Sequence, residues 1–157
     1  MQPQTNRTEK HDGEDGFTLI EVMVVVLIIG ILLAIGVPTF LGARTRAQDR
    51  AAQTSLRIAQ SSSMVIFTDN ADLTQATTTN LSASEPGITW VDAVTASAAP
   101  TTVSVLPDAA TDWYGAAMSA SGTCFTIHVD AAGAVEYGQT TNACTGTQAK
   151  SPTSAGW

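Results

Sequence analysis

The sequence predicts an α+β protein: one long N-terminal helix, first half hydrophobic and second half amphipathic, packed against a small antiparallel β-sheet. Three observations predict it. From Phe17 to Leu41 the chain reads FTLIEVMVVVLIIGILLAIGVPTFL, with Glu21 as its one charge. From Gly42 to about Thr68 it turns polar but keeps helical spacing. From Trp113 onward, short β-branched and aromatic segments alternate with turn residues.

The chain has 157 residues, which is one domain, or a small domain plus a membrane segment. Its net charge is −7 and only 13% of residues are charged, so no global basic field for nucleic acid exists. Mean hydropathy is slightly positive in a Thr/Ala/Ser-rich chain because the apolar run carries it. Aromatic residues make up 6%, which is thin for a large core. The part beyond the helix is therefore a small domain that needs help, and the two cysteines can supply it.

Residues 1–16, MQPQTNRTEKHDGEDG, are polar and aperiodic and read as a disordered leader. Arg7 and Lys10 are outnumbered by Glu9, Asp12, Glu14 and Asp15, whereas a secretory signal peptide wants a basic start and a short apolar core. The small-x-small triplet Ala34-Ile35-Gly36 lies inside the apolar run, so conventional signal cleavage is set aside. At 1.5 Å per residue the helix over 17–41 covers roughly 37 Å, enough to span a bilayer core with tilt. An acid in lipid costs on the order of 3 kcal/mol, which makes Glu21 a functional residue by default. The bland alternative is that it snorkels, or favours the helix N-terminus.

Gly30, Gly36 and Pro38 weaken this helix and mark a helix break: proline removes a donor, and each glycine costs about 1 kcal/mol relative to alanine. They read either as ordinary membrane-helix tolerance or as a segment able to stretch. Farther on, Ala52, Leu56, Ala59, Ser63 and Ile66 fall on one face, and Arg46, Arg50, Gln53, Arg57 and Gln60 on another. No Pro or Gly interrupts residues 43–67, so one continuous helix is expected from Phe17 to near Asp69, roughly 80 Å long. The arginines following the apolar run outnumber the cations before it. The positive-inside count therefore places the downstream half in the cytoplasm. The cysteine pair and the lack of any cytosolic motif argue for the outside, which is the reading adopted. Arg44–Arg57 are taken as a solvated face or a headgroup contact, and the chain's acidity argues against a DNA-binding role.

Asp69-Asn70-Ala71-Asp72 ends the helix, and Thr77–Thr79, Glu85–Gly87 and Ala98–Pro100 read as turn or loop chemistry. Expected strands are 88–94, 101–106, 114–119, 123–129 and 134–139, the last two forming a hairpin through Asp130–Gly133. Phe125, Ile127 and Val129 should face the helix, and Thr126 and His128 the solvent. The Thr/Ser density admits O-glycans, but a merely soluble loop is the simpler reading. Cys124 and Cys144 allow one intramolecular bridge, closing a loop of roughly 20 residues and contributing about 3 kcal/mol. The tail 146–157 reads as loose, with Trp157 unplaced.

Gly16-Phe17-Thr18-Leu19-Ile20-Glu21, a polar leader ending in Gly and a long hydrophobic helix with Gly30, Gly36 and Pro38 together resemble a type IV pilin. The resemblance covers about a quarter of the chain and implies a pilin-like fold. It implies that a membrane prepilin peptidase/methyltransferase cuts between Gly16 and Phe17 and methylates the Phe17 amine. The acidic leader departs from shorter basic leaders of the family. The disulfide-closed C-terminal region of many pilins matches Cys124 and Cys144.

Cleavage would place a cation four residues before Glu21. Opposite charges about 4 Å apart attract by about 4 kcal/mol at an effective dielectric of 20, comparable to the cost of burying the acid. Between chains that pair fixes axial register, so Glu21 is assigned to assembly.

Motifs for catalysis are lacking: no GxSxG, HExxH, P-loop or nucleotide glycine signature occurs, and no cofactor or metal is expected. The leading expectation is a structural subunit of a homopolymer, on the membrane before assembly and on the cell surface after. Its implied partners are an inner-membrane platform protein and a cytoplasmic assembly ATPase. Alternatives are a type II secretion pseudopilin or minor pilin and, from another class, a membrane-anchored extracellular binding module that never polymerises. A plain anchor has no use for Glu21.

Overall fold

The computed structural model describes residues 16–157; the expected leader 1–16 therefore lies, but for Gly16, outside the described residues. Helix α1 runs Leu19–Asn70 over 52 residues. The helix is continuous through Gly30, Gly36 and Pro38. Proline removes one donor, and the helical bonds on either side carry the segment through. Two compact units divide near Phe40 and Leu41.

In the second unit, α1 presents Ala52, Ser55, Leu56, Ala59, Ser62, Ser63 and Ile66 to the core, so the stripe expected from spacing is the buried one. Most of these residues are small. The buried hydroxyls of Ser55 and Ser63 return to the carbonyls of Ala51 at 3.3 Å and Gln60 at 2.8 Å, leaving no orphan polar group. Past the helix, Ala71 takes φ 53, a left-handed cap that alanine rarely supplies. Asp72 then caps a 3-10 turn, Leu73–Gln75.

Thr77–Thr79, expected as loop, begin helix α2 (Thr78–Ser84) instead. Thr77 caps it from the extended region, and Leu81 anchors it in the core. The sheet contains β1 (Thr89–Val91), β2 (Thr102–Ala109), β3 (Asp112–Met118), β4 (Cys124–Asp130), β5 (Val135–Thr140) and β6 (Ser154–Ala155), in that spatial order. The expected wholly antiparallel sheet needs one correction: β1 runs parallel to β2, since the segment 92–101 returns the chain to the same end. Asp92 turns that segment through the backbone of Thr95 at 2.8 Å, and the Ser97 hydroxyl ties it to the Thr102 carbonyl at 2.6 Å.

Trp113, Phe125, Ile127 and Val129 face α1, and the Trp113 indole donates to the Ala76 carbonyl at 3.2 Å. Gly115 leaves room beside that indole, where a Cβ would stand 2.9 Å from the ring. The opposite sheet face was expected to meet solvent, yet Thr126 is buried. The reason is the chain after Cys144. Helix α3 (Gly146–Ala149) and Pro152 cover that face, with a second small cluster of Ala116, Cys124, Cys144 and Ala149 between them.

The tail also departs from its expectation. Strand β6 pairs with β5. Trp157 packs edge-on to Tyr137 at 4.4 Å and Phe125 at 5.8 Å, and donates to the Thr126 carbonyl at 3.1 Å. A polar run concealed a terminal aromatic with a place in the sheet.

Candidate functional site

The N-terminal end of α1 is built by its own sequence. Gly16, Phe17 and Thr18 precede the helix, and the Thr18 hydroxyl accepts the Glu21 backbone N–H at 3.3 Å. Thr18 to Glu21 is the Thr-x-x-Glu spacing of a capping box, which satisfies one of the orphan donors of a first turn. Glu21 in that turn also meets the positive end of the helix dipole. Along the next two dozen residues every large apolar side chain is open, from Phe17 at 80% through Leu33 at 57% to Phe40 at 69%. The segment has a mean hydropathy of 3.0 with none of it buried, so α1 is long and apolar enough to cross a membrane. A Cβ on Gly30 or Gly36 would touch nothing within 4 Å, so nothing in the described chain requires glycine at either position.

In the head, Cys124 and Cys144 form a disulfide, which ties the chain before α3 to the start of β4. Across the turn end of the sheet, His128 offers its Nε2 to Asp112 at 2.9 Å and its Nδ1 to Glu136 at 3.3 Å. Its ring stacks on Tyr114 at 4.4 Å. The Thr111 hydroxyl, then His128, hold the Asp112 carboxyl below the usual carboxylate range. Burial, then the charge of Asp112, pushes the Tyr114 hydroxyl up. Lys150 is raised by its hydrogen bond to Asp108 at 2.9 Å. Both imidazole nitrogens face carboxylates on opposite sides, which bridges three strands through one side chain. Among the described residues no group of three His, Cys, Asp or Glu could hold a metal.

Residues 13–37 match the prokaryotic N-terminal methylation motif. The chain carries the methylation motif of a prepilin. It is also 43% identical over 54 residues to the type IV major pilin protein PilA of Myxococcus xanthus (strain DK1622), a stretch covering 34% of this chain. The match spans about a quarter, 24%, of that relative's length. No solved structure matches. The fold is pilin-like α+β, and both likenesses are to structural, non-enzymatic proteins.

The prepilin motif holds Gly16, Phe17, Glu21, Gly30 and Gly36, with Pro38 one residue beyond it. The motif and the disulfide fall in different compact units. Thr18 was missed as a cap, although its Thr-x-x-Glu spacing before an apolar run was open to view. Trp157 was missed because a lone terminal aromatic carries no periodicity.

Proposed function

We propose that this chain is a structural pilin subunit that polymerises into a type IV pilus once a prepilin peptidase has cut between Gly16 and Phe17. The observation that carries the reading is register. The matched motif, the single acid Glu21 and an exposed apolar helix follow one another without a gap. The new Phe17 amine is methylated by the same enzyme and pairs with Glu21 of a neighbouring copy, so that charge pairing sets the stagger between helices. Residues 17–41 are the membrane segment and later the filament core, 42–69 carry the head, and 70–157 form the head. Gly30, Gly36 and Pro38 are where the helix loosens as subunits pack. An inner-membrane platform protein and a cytoplasmic ATPase drive extension, because the chain has no P-loop of its own. The subunit resides in the cytoplasmic membrane first and on the cell surface afterwards.

Mass spectrometry of filaments sheared from cells tests this. The expected subunit begins at Phe17, about 14 Da heavier for one added methyl group and about 2 Da lighter for the bridge. Glu21→Ala should leave cleavage intact and abolish most of the filament yield. Subunits retaining Met1–Gly16, or normal yield from Glu21→Ala, would overturn the reading.

A further inference from the structure

The second half of α1 carries more than its core stripe. A separate row, Ala47, Ala51, Thr54, Ile58, Ser61 and Val65, recurs at alternating four- and three-residue steps and is exposed throughout. Ile58 is 37% and Val65 54% exposed. Beside this row lie Arg46, Arg50 and Arg57, also exposed and spaced for one helix face. Among the described residues the carboxylate contacts of basic side chains are those of His128 with Asp112 and Glu136 and of Lys150 with Asp108, so none of these arginines has a carboxylate partner. The acid between them on the helix, Asp49, is taken by the hydroxyls of Ser119 at 2.8 Å and Ser121.

The rest of the head has the opposite imbalance. Residues 71–157 hold seven carboxylates and one cation, Lys150. Asp108, Asp112, Asp130 and Glu136 occupy four adjacent strands at the end of the sheet closed by the β2–β3 and β4–β5 turns. Asp112 and Asp130 are direct cross-strand partners, a pairing that destabilises a sheet. One half of the domain has cations without partners, and the other has carboxylates in excess.

We propose that the outward face of α1, the arginines with the row beside them, docks the acidic turn end of the sheet in a second copy of this chain. The inference rests on the polymerising reading above and names surfaces for it. Small side chains in the row admit a neighbour's backbone, and the arginines supply charge-assisted bonds. Anionic headgroups would satisfy the arginines but leave the crowded carboxylates as they are; a second copy relieves both. Because the two patches are different surfaces, the contact is heterologous. Each copy offers both halves, so the contact propagates rather than closing on a dimer.

The test uses the full chain expressed in its cells, reading sheared filament against processed, oxidised subunit in the membrane. Arg57 is left alone because its guanidinium lies 5.4 Å over the Trp157 ring. Arg46→Glu with Arg50→Glu should lower filament yield at least about tenfold, since like charges then face each other, with the membrane pool unchanged. Adding Glu136→Arg, at a side chain 82% exposed, places a cation opposite the new carboxylates and should restore part of the yield. Where the reversed helix fails to accumulate, Arg46→Gln with Arg50→Gln is read instead, and a smaller loss of yield is expected. Normal yield from the arginine variants overturns the proposal, as does a triple variant no better than the double. Loss of the membrane pool in the glutamine pair as well would assign the arginines to headgroups and overturn it too. Absence of filaments from the unaltered chain would instead sink the polymerising reading itself.

Discussion

Between residues 22 and 37, α1 is mostly Val, Ile, Leu and Met left exposed; between 52 and 66 its inward positions are Ala, Ser, Leu and Ile sealed in the core. β-Branched residues are mediocre helix formers in water, because their χ1 freedom is lost against the preceding turn. In a bilayer that preference matters little, since no water competes for the backbone and a helix is what a single span can be. The second half obeys the opposite constraint. Its inward side chains are mostly small, and three buried serines are tolerated there. The same backbone geometry is therefore left exposed in one half and held by packing in the other.

That contrast can be broken most forcefully by matched truncations. Leu56 is fully buried, so Leu56→Ala should cost the head about 2–5 kcal/mol. Val26→Ala removes apolar surface from a side chain 62% exposed and outside the core, and should leave head unfolding where it was. Thermal unfolding of the detergent-solubilised full chain, followed by near-UV dichroism of its tryptophans, checks both. Equal shifts from the two variants would mean the halves are not held differently.

Next in size is the bridge, which belongs to the packed half alone. Reducing Cys124–Cys144 releases the chain that covers the second sheet face, and should cost about 3 kcal/mol by loop entropy. The expected result is a lower melting temperature for the head, with the helicity of residues 22–41 unchanged. A reduced protein that melts with the oxidised one would show that α3 and Pro152 hold that face without help.

Legibility followed the same division. The long helix, its buried stripe and the β4–β5 hairpin could be read because periods of 3.6 and 2 were written into Leu56, Ile66, Phe125, Ile127 and Val129. The likeness to a prepilin rested on a contiguous local motif, the most readable kind. Elements fixed by tertiary partners were not readable. Thr126 looks solvent-facing until α3 arrives. Strand β1 is only three residues long and its direction depends on a returning loop. Ala71, with φ 53, breaks the expectation that a left-handed cap is glycine. The capping role of Thr18 was readable but hidden behind the louder apolar run.

The smallest effect sharpens the comparison through pH, because the head titrates and residues 22–41 carry no ionisable side chain. Hydrogen bonds from Thr74 lower Asp72, those from Thr95 lower Asp92, and the Thr111 hydroxyl, then His128, lower Asp112. A carboxyl depressed in the folded state stabilises above its unfolded value near 3.8 and loses that contribution as pH falls through the folded value. Lys150 is raised from 10.5 by Asp108, so its contribution is whole below that value and fades as pH climbs through the folded one. Melting of the head should therefore fall modestly on the acid side, below about pH 5, and again on the alkaline side, above about pH 9, the effects being small because these groups are at the surface. Thr111→Val removes the larger cause at Asp112 and should move the acid limb toward higher pH. Helicity of residues 22–41 in micelles should not follow either limb; if it did, the two halves would share one stability after all.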